Sequence, residues 1–295
     1  MRVVNYVSIL LAAIVSMPAW ADESSWDLAG NLEFQTRVFP GDARWPGQAS
    51  QAGQVALAAS LELRWRNDEG NQRASLLPYL RWDQVDDQRS LADLREAYWA
   101  YEGENAEFLV GANTVFWGVT ESVHLVDIIN QTDAAGDIDR EDRLGQPMVN
   151  VTLQRDWGEL SAFVMPWFRE RTFPGVDGRF RPPLPVDGDR AQYEASAEQS
   201  HVDLALRYSH YIGDVDIGLS VFSGTSREAR FVPSPEGDVL LPYYDLIDQA
   251  GLDFQYTHDA WLWKLEAILR NGYSHTFAAA VGGFEYTLYQ VGESD

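Results

Sequence analysis

Between Thr114 and Gln146 the chain carries seven carboxylates, Glu121, Asp127, Asp133, Asp137, Asp139, Glu141 and Asp142, against two bases, Arg140 and Arg143. A second stretch, after Phe168, opens with the opposite charge: Arg169, Arg171, Arg179 and Arg181. Opposed acidic and basic walls around a water-filled opening set a field that sorts solutes by charge. Asp137-Ile138-Asp139-Arg140-Glu141-Asp142 also offers the oxygen ligands that Ca²⁺ requires. It lacks the glycine of an EF-hand loop and two of its neighbours are arginines, so a solvated acidic loop is expected, with no metal and no cofactor.

Covalent chemistry is less well provided for. Hydrolysis requires a nucleophile and a base side by side. The best local pair is His210 and Ser220, across a turn at Gly213. Strand alternation places His210 with Tyr208 on one face and Ser220 on the other, so the pair fails. His124, His201, His258 and His275 are scattered, and G-x-S-x-G, H-E-x-x-H and G-x-x-x-x-G-K-[ST] are absent. No enzyme is expected.

The elements that must position these charges read as β-strands. Residues 55–66 are the clearest: Val55, Leu57, Ala59, Leu61, Leu63 and Trp65 alternate with Ala58, Ser60, Glu62, Arg64 and Arg66. Alternation over about ten residues is the length of a transmembrane β-strand, whereas strands of globular sheets average about 5–6. The same pattern marks 26–38, 73–83, 91–102, 108–113, 148–154, 160–167, 201–211, 215–221, 252–257, 261–270 and 277–290, twelve strands in all. In 91–102 the register is ambiguous: Arg95 or Glu96 faces the wrong side, or a bulge intervenes. Turns at Asn67, Gly103, Asp156, Gly213 and Asp259 are short, and most other connections are long and charged. Hairpin loops are usually 2–5 residues, so the 114–146 loop is expected to be functional, folding back to narrow the interior. The polar strand faces predict an inward set of Glu62, Arg64, Arg66, Arg81, Asp203, Arg207, Asp216, Asp253, Lys264, Glu266, Arg270 and Glu285. The pore-lining and constriction candidates are Asp133, Asp137, Asp139, Glu141, Asp142, Arg169, Arg171, Arg64, Arg66, Arg81, Arg207, Glu62, Asp203, Lys264 and Glu266. A solvated interior of paired charges with no binding site is the plainer reading of any one of them.

The whole chain bounds the rest. Its 295 residues have a net charge of −23, a poor match to nucleic acid, whose phosphates need a basic surface. Lys264 is the one lysine, and cysteine is absent, which excludes disulfides and thiolate metal sites. Residues 1–21 have Arg2, an apolar run from Val7 to Val15 and Ala19-Trp20-Ala21, the pattern of a cleaved secretory signal peptide. No later segment has the apolar length of a transmembrane helix. Eleven Trp, 13 Tyr and 13 Phe fit the aromatic girdles of a membrane barrel.

In layout the chain is similar to Gram-negative outer-membrane porins. Leu94-Arg95-Glu96-Ala97-Tyr98, Phe116-Trp117-Gly118 and Leu125-Val126-Asp127-Ile128-Ile129-Asn130 resemble a less characterised porin-like family. The resemblance implies an all-β, closed, antiparallel transmembrane barrel over 22–295. It implies a constricted channel for passive diffusion of small hydrophilic solutes, set among outer-membrane lipid and lipopolysaccharide, and a homo-oligomer. One departure is the ending, Val291-Gly292-Glu293-Ser294-Asp295, which reads as another short turn where a terminal aromatic strand is usual, so further C-terminal strands are expected; the alternative is a complete small barrel, since twelve strands is an even number. The competing readings are a non-conducting structural or adhesive barrel, with the Pro-rich 179–185 and 231–233 segments as semi-rigid exposed loops, and an outer-membrane hydrolase.

Overall fold

Twelve segments of alternating polarity become twelve long strands. The computed structural model describes residues 25–139 and 141–289, together with the backbone of a short strand at 11–14. The strands are β1 (Leu11–Ile14), β2 (Ser25–Val38), β3 (Gly53–Arg66), β4 (Gln72–Asp83), β5 (Leu91–Glu102), β6 (Ala106–Asn113), β7 (Gln146–Arg155), β8 (Gly158–Met165), β9 (Gln192–Tyr193), β10 (Asp203–Ile212), β11 (Val215–Thr225), β12 (Arg230–Pro233), β13 (Leu240–Tyr244), β14 (Leu246–His258), β15 (Trp261–Gly272) and β16 (His275–Tyr286). Thirteen of them form one sheet in the order β1-β2-β3-β4-β5-β6-β7-β8-β10-β11-β14-β15-β16, every neighbour antiparallel. β1 and β16 are its edges among the described residues. The expected signal peptide lies outside the described residues except for β1, whose Leu11 pairs with Phe34.

The sheet inverts the usual arrangement of a soluble protein. Leu32, Leu57, Leu61, Leu80, Leu204, Leu206, Val221 and Leu269 project from one side and are exposed. Arg81, Asp93, Asn150, Asp203, Asp253, Glu266 and Arg270 project from the other and are buried. Successive side chains of a strand point to opposite faces, so this division follows directly from the alternation in the sequence. In water-soluble proteins charged residues are rarely buried and large apolar patches are rarely exposed.

The ambiguous register of β5 resolves as a bulge. Leu77 pairs with Glu96 but Pro78 pairs with Leu94, leaving Arg95 as the extra residue. Pro78 has no N–H to give to the ladder, so an irregularity there leaves no donor missing. Arg95 then reaches the polar side, where its guanidinium lies 3.8 Å from the Tyr79 ring centroid.

Short turns join the strands at one rim and most of the long connections leave from the other. Aromatics gather at the short-turn rim: Trp26 lies 6.3 Å from Trp65, Trp157 stacks on Tyr208, and Trp261 contacts Trp263, Phe284 and Tyr286. At the other rim β12, β13 and β9 form a small separate sheet within the 166–202 and 226–245 connections. Its strands are two to five residues long, too short for alternation to reveal them in the sequence.

Candidate functional site: the inward connection

The connection from β6 to β7 turns back onto the polar side of the sheet. Its root is Phe116-Trp117-Gly118. Trp117 is buried, its ring 5.5 Å from Phe163, with the Arg207 guanidinium 5.3 Å above it. Gly118 has φ +148°, and a Cβ there would stand 2.9 Å from Glu266 Oε1. Only glycine permits this approach and this backbone angle together. Glu266 Oε1 accepts from the backbone N–H of Val119 (2.9 Å) and Thr120 (3.0 Å) and from the Thr120 hydroxyl (2.8 Å), and Oε2 accepts from Val126 N–H (3.2 Å). One fully buried carboxylate on β15 thus satisfies backbone donors that a loop pressed against a sheet would otherwise leave unpaired.

Beyond this clasp Val126, Ile128 and Ile129 pack among Leu109, Met148, Phe163 and Phe222 of the sheet. Arg227 donates to Ile129 O (3.0 Å) and to Asp203 (2.6 Å). Burial lowers the Arg227 pKa, with Asp203 opposing. Asp127 is raised by burial, opposed first by Arg143, which donates to it at 2.9 and 3.0 Å. Asn130 donates to Asn113 O and Leu144 O and accepts from Val115 N–H, fastening the two ends of the connection together.

The tip, residues 136–139 with Glu141 and Asp142, faces a different wall. Arg81 meets Asp133 at 2.7 Å with both side chains enclosed. Arg37 and Arg89 both donate to Gly136 O at 3.0 Å. Arg37 also pairs with Asp137 at 3.0 Å, and Arg95 with Asp142 at 2.9 Å. Burial, with Arg37 close by, lowers the Arg89 pKa; Asp83 at 2.6 Å opposes it. Between tip and wall lies a polar cavity of about 220 Å³ bordered by Glu33, Tyr79, Arg95, Asp139 and Glu141.

The expected residues therefore separate into groups. Asp137, Asp139, Glu141 and Asp142 border the cavity with Arg81. Asp133, Asp203 and Glu266 are on the polar side as expected but enclosed, each holding a connection in place, and they line no open space. Glu62, Arg64 and Arg66 lie towards the short-turn rim, with Arg64 against Glu62 and Arg66 donating to Gly70 O. Arg207 forks onto Asp253, and Lys264 bridges Glu121 and Glu285. Arg270 donates to Gln249 and Glu228.

The expected basic wall is different from the one found. Arg169 binds Asp93 and Gly145 O, and Arg171 Nε donates to Gln131 Oε1. Arg179 and Arg181 hold the carbonyls of Gly41, Asp42, Ala49, Val176 and Pro46, clamping the 166–202 connection onto the 39–52 connection. The bases opposite the acidic tip are Arg37, Arg81, Arg89 and Arg95, contributed by β2, β4, β5 and the 84–90 connection. The polar-face alternation signalled Arg81 and also runs through Asn31, Glu33 and Gln35 to Arg37, whereas nothing local marked Arg89.

The chain matches no protein-family model, and no characterised protein matches it in sequence.

Proposed function

We propose that the sheet closes into a barrel in the outer membrane and acts as a channel for passive diffusion of small hydrophilic solutes, narrowed by the 114–145 connection. The observation that carries this reading is the inverted sheet: long strands with an exposed apolar side and a buried, charged side on which one connection is folded. An exposed apolar surface of this extent is costly in water and is matched by hydrocarbon. The aromatic cluster at the short-turn rim belongs at a membrane interface. A strand edge facing lipid would leave backbone groups unpaired, so the reading requires the edges of the sheet to be paired or covered in the membrane. Water entering the polar side meets the tip cavity, where Asp139, Glu141 and Arg95 border the opening.

A second reading rests on the apolar root. Trp117, Val126, Ile128 and Ile129 fill part of the polar side, as a plug would in a non-conducting structural barrel. Reconstitution in a planar bilayer separates the two. Stepwise currents altered by Arg95→Glu or Asp142→Lys support the channel; a folded, inserted protein with no current leaves the plugged barrel.

A further inference from the structure

On the other flank of the loop root, β8, β10, β11 and β14 border a second inward concavity of about 470 Å³. The loop contributes Phe116 to it, a phenyl ring that remains 57 % exposed although its neighbour Trp117 is buried. His124 packs against the phenyl ring nearly perpendicular, with ring centroids 4.7 Å apart, which restrains it over the space. The cavity's guanidinium is already engaged: Arg207 Nη1 and Nη2 donate to Asp253 Oδ2 and Oδ1 at 2.7 and 2.8 Å. Gly218 lies beneath this fork, where any Cβ would collide with both side chains. A pair buttressed in this way is not free to take up an anion.

What remains is negative. Glu159 on β8 and Asp216 on β11 border the same concavity, with Ser209 and Gln255 beside them. Glu159 receives a long hydrogen bond from Ser161 Oγ at 3.4 Å, and among the described residues no lysine or arginine pairs with Glu159 or Asp216. β10 separates the two strands, Glu159 pairing with Ser209 and Asp216 with Tyr211. With strands about 4.8 Å apart, the two backbones stand roughly 10 Å from each other. No group of three or more His, Asp or Glu converges as a metal site among the described residues; the concavity instead sets two carboxylates on separate strands beside an exposed ring. It suits a cation with carbon substituents.

We propose that this concavity binds an organic ammonium cation, with the face of Phe116 against its alkyl groups and Glu159 and Asp216 balancing its charge. The inference rests on the channel reading for its role, a resting place for cationic solutes beside the loop root, but its chemistry is separate. A ring face attracts an ammonium electrostatically, and more strongly when the ion carries methyl groups and is weakly hydrated. The exposed ring then loses water contact, and the two carboxylates gain the counter-charge they lack.

The test is calorimetric titration of the folded protein in detergent with tetramethylammonium chloride, against sodium chloride at equal ionic strength. Saturable binding is expected, weakened about tenfold by Phe116→Ala, retained by Phe116→Trp, and weakened again by Glu159→Gln with Asp216→Asn. Sheet circular dichroism checks the fold of each variant, and should Phe116→Ala not fold, the carboxylate pair gives the same comparison. No saturable binding, or binding indifferent to Phe116 and to both carboxylates, overturns the site. Bilayer currents address the other claim separately. An absence of current with intact tetramethylammonium binding defeats the channel and leaves the site standing; sodium currents that tetramethylammonium does not reduce, with no binding, defeat the site and leave the channel.

Discussion

The root and the tip of the inward connection are twenty residues apart and are fastened by different physics. At the root a carboxylate with no exposed surface, Glu266, receives backbone donors, and apolar side chains fill the space around it. At the tip, past the two buried arginine bonds to Gly136 O, the fastenings are ion pairs whose acids, Asp137 and Asp142, keep about a third of their surface in water. Burial makes a hydrogen bond expensive to lose, whereas partial exposure to water makes an ion pair cheap to break. The connection is therefore a fixed base carrying an adjustable edge, and the adjustable edge is the part bordering the tip cavity.

The largest effect should come from breaking the root. Glu266→Ala leaves the amides of Val119, Thr120 and Val126 buried without an acceptor, at about 1–3 kcal/mol each before relaxation, and a net loss of about 5 kcal/mol is expected. Amide hydrogen exchange over 117–126 should rise by orders of magnitude, while the strands far from β15 keep their protection. Unchanged exchange at Val119 and Thr120 would show that the clasp does not hold the loop. Glu266→Gln keeps one acceptor oxygen and should fall between the two.

Next is the enclosed pair between wall and loop. Arg81→Met removes the cation from Asp133 in a site where neither side chain reaches water. Removing one partner of a buried pair typically costs about 3–5 kcal/mol, because the other charge is left buried without compensation. Denaturant unfolding should show the loss. The double variant Arg81→Met with Asp133→Leu should recover most of it, since an apolar pair of similar volume avoids the desolvation penalty. Failure of the second substitution to restore stability would mean that Asp133 depends mainly on Thr172, whose hydroxyl also donates to it.

Breaking the tip should cost far less stability and change more of the opening. Arg95→Gln releases Asp142 and is expected to cost about 1 kcal/mol or less. In bilayer reconstitution the proposed channel reading then requires a shift of ion preference towards cations, and the shift should shrink with added salt, whose screening length is about 8 Å at physiological ionic strength. An equal change in ion preference from Arg179→Gln would contradict the assignment, because Arg179 clamps loop carbonyls away from the tip.

How much of this was legible in the sequence follows the same division. Period-2 alternation is local, so the sequence located all twelve long strands; length alone did not single out 114–146, since the 166–202 connection is as long, but the apolar 123–129 run marked 114–146 as a connection that packs on something. The choice at Arg95 and Glu96 could be stated but not decided, although Pro78, a residue without an N–H opposite Leu94, is a signal for the bulge. The partners of the tip lay beyond local reasoning. Arg37 is about a hundred positions from Asp137, and no periodicity relates them. Glu266 and Asp203 were placed on the correct face, but only the packed connection shows that they hold loops and do not line a path. Arg179 and Arg181 were grouped with Arg169 by proximity in sequence, whereas the fold sends them to the carbonyls of another connection.

The finest distinction between strongly and weakly held parts is their response to acid. Asp127, in the root, has its pKa raised by burial, against the opposing Arg143. A carboxyl shifted upward contributes stability that is fully present below the ordinary aspartate range and lost as pH rises through its raised value. Glu121, on the exposed margin of the same connection, is lowered, chiefly by its hydrogen bond with Lys264. Its contribution is present above the ordinary glutamate range and lost as pH falls through its lowered value. Acidification from neutral pH to about 4 and below should thus free Glu121 while leaving Asp127 no worse placed. Thermal unfolding across that range would show it: Glu121→Gln should flatten the acid limb slightly, and Asp127→Asn should remove a slope of the opposite sign. If Asp127→Asn instead flattens the acid limb, the Arg143 pair outweighs burial at the root, and root and tip are held by the same force after all.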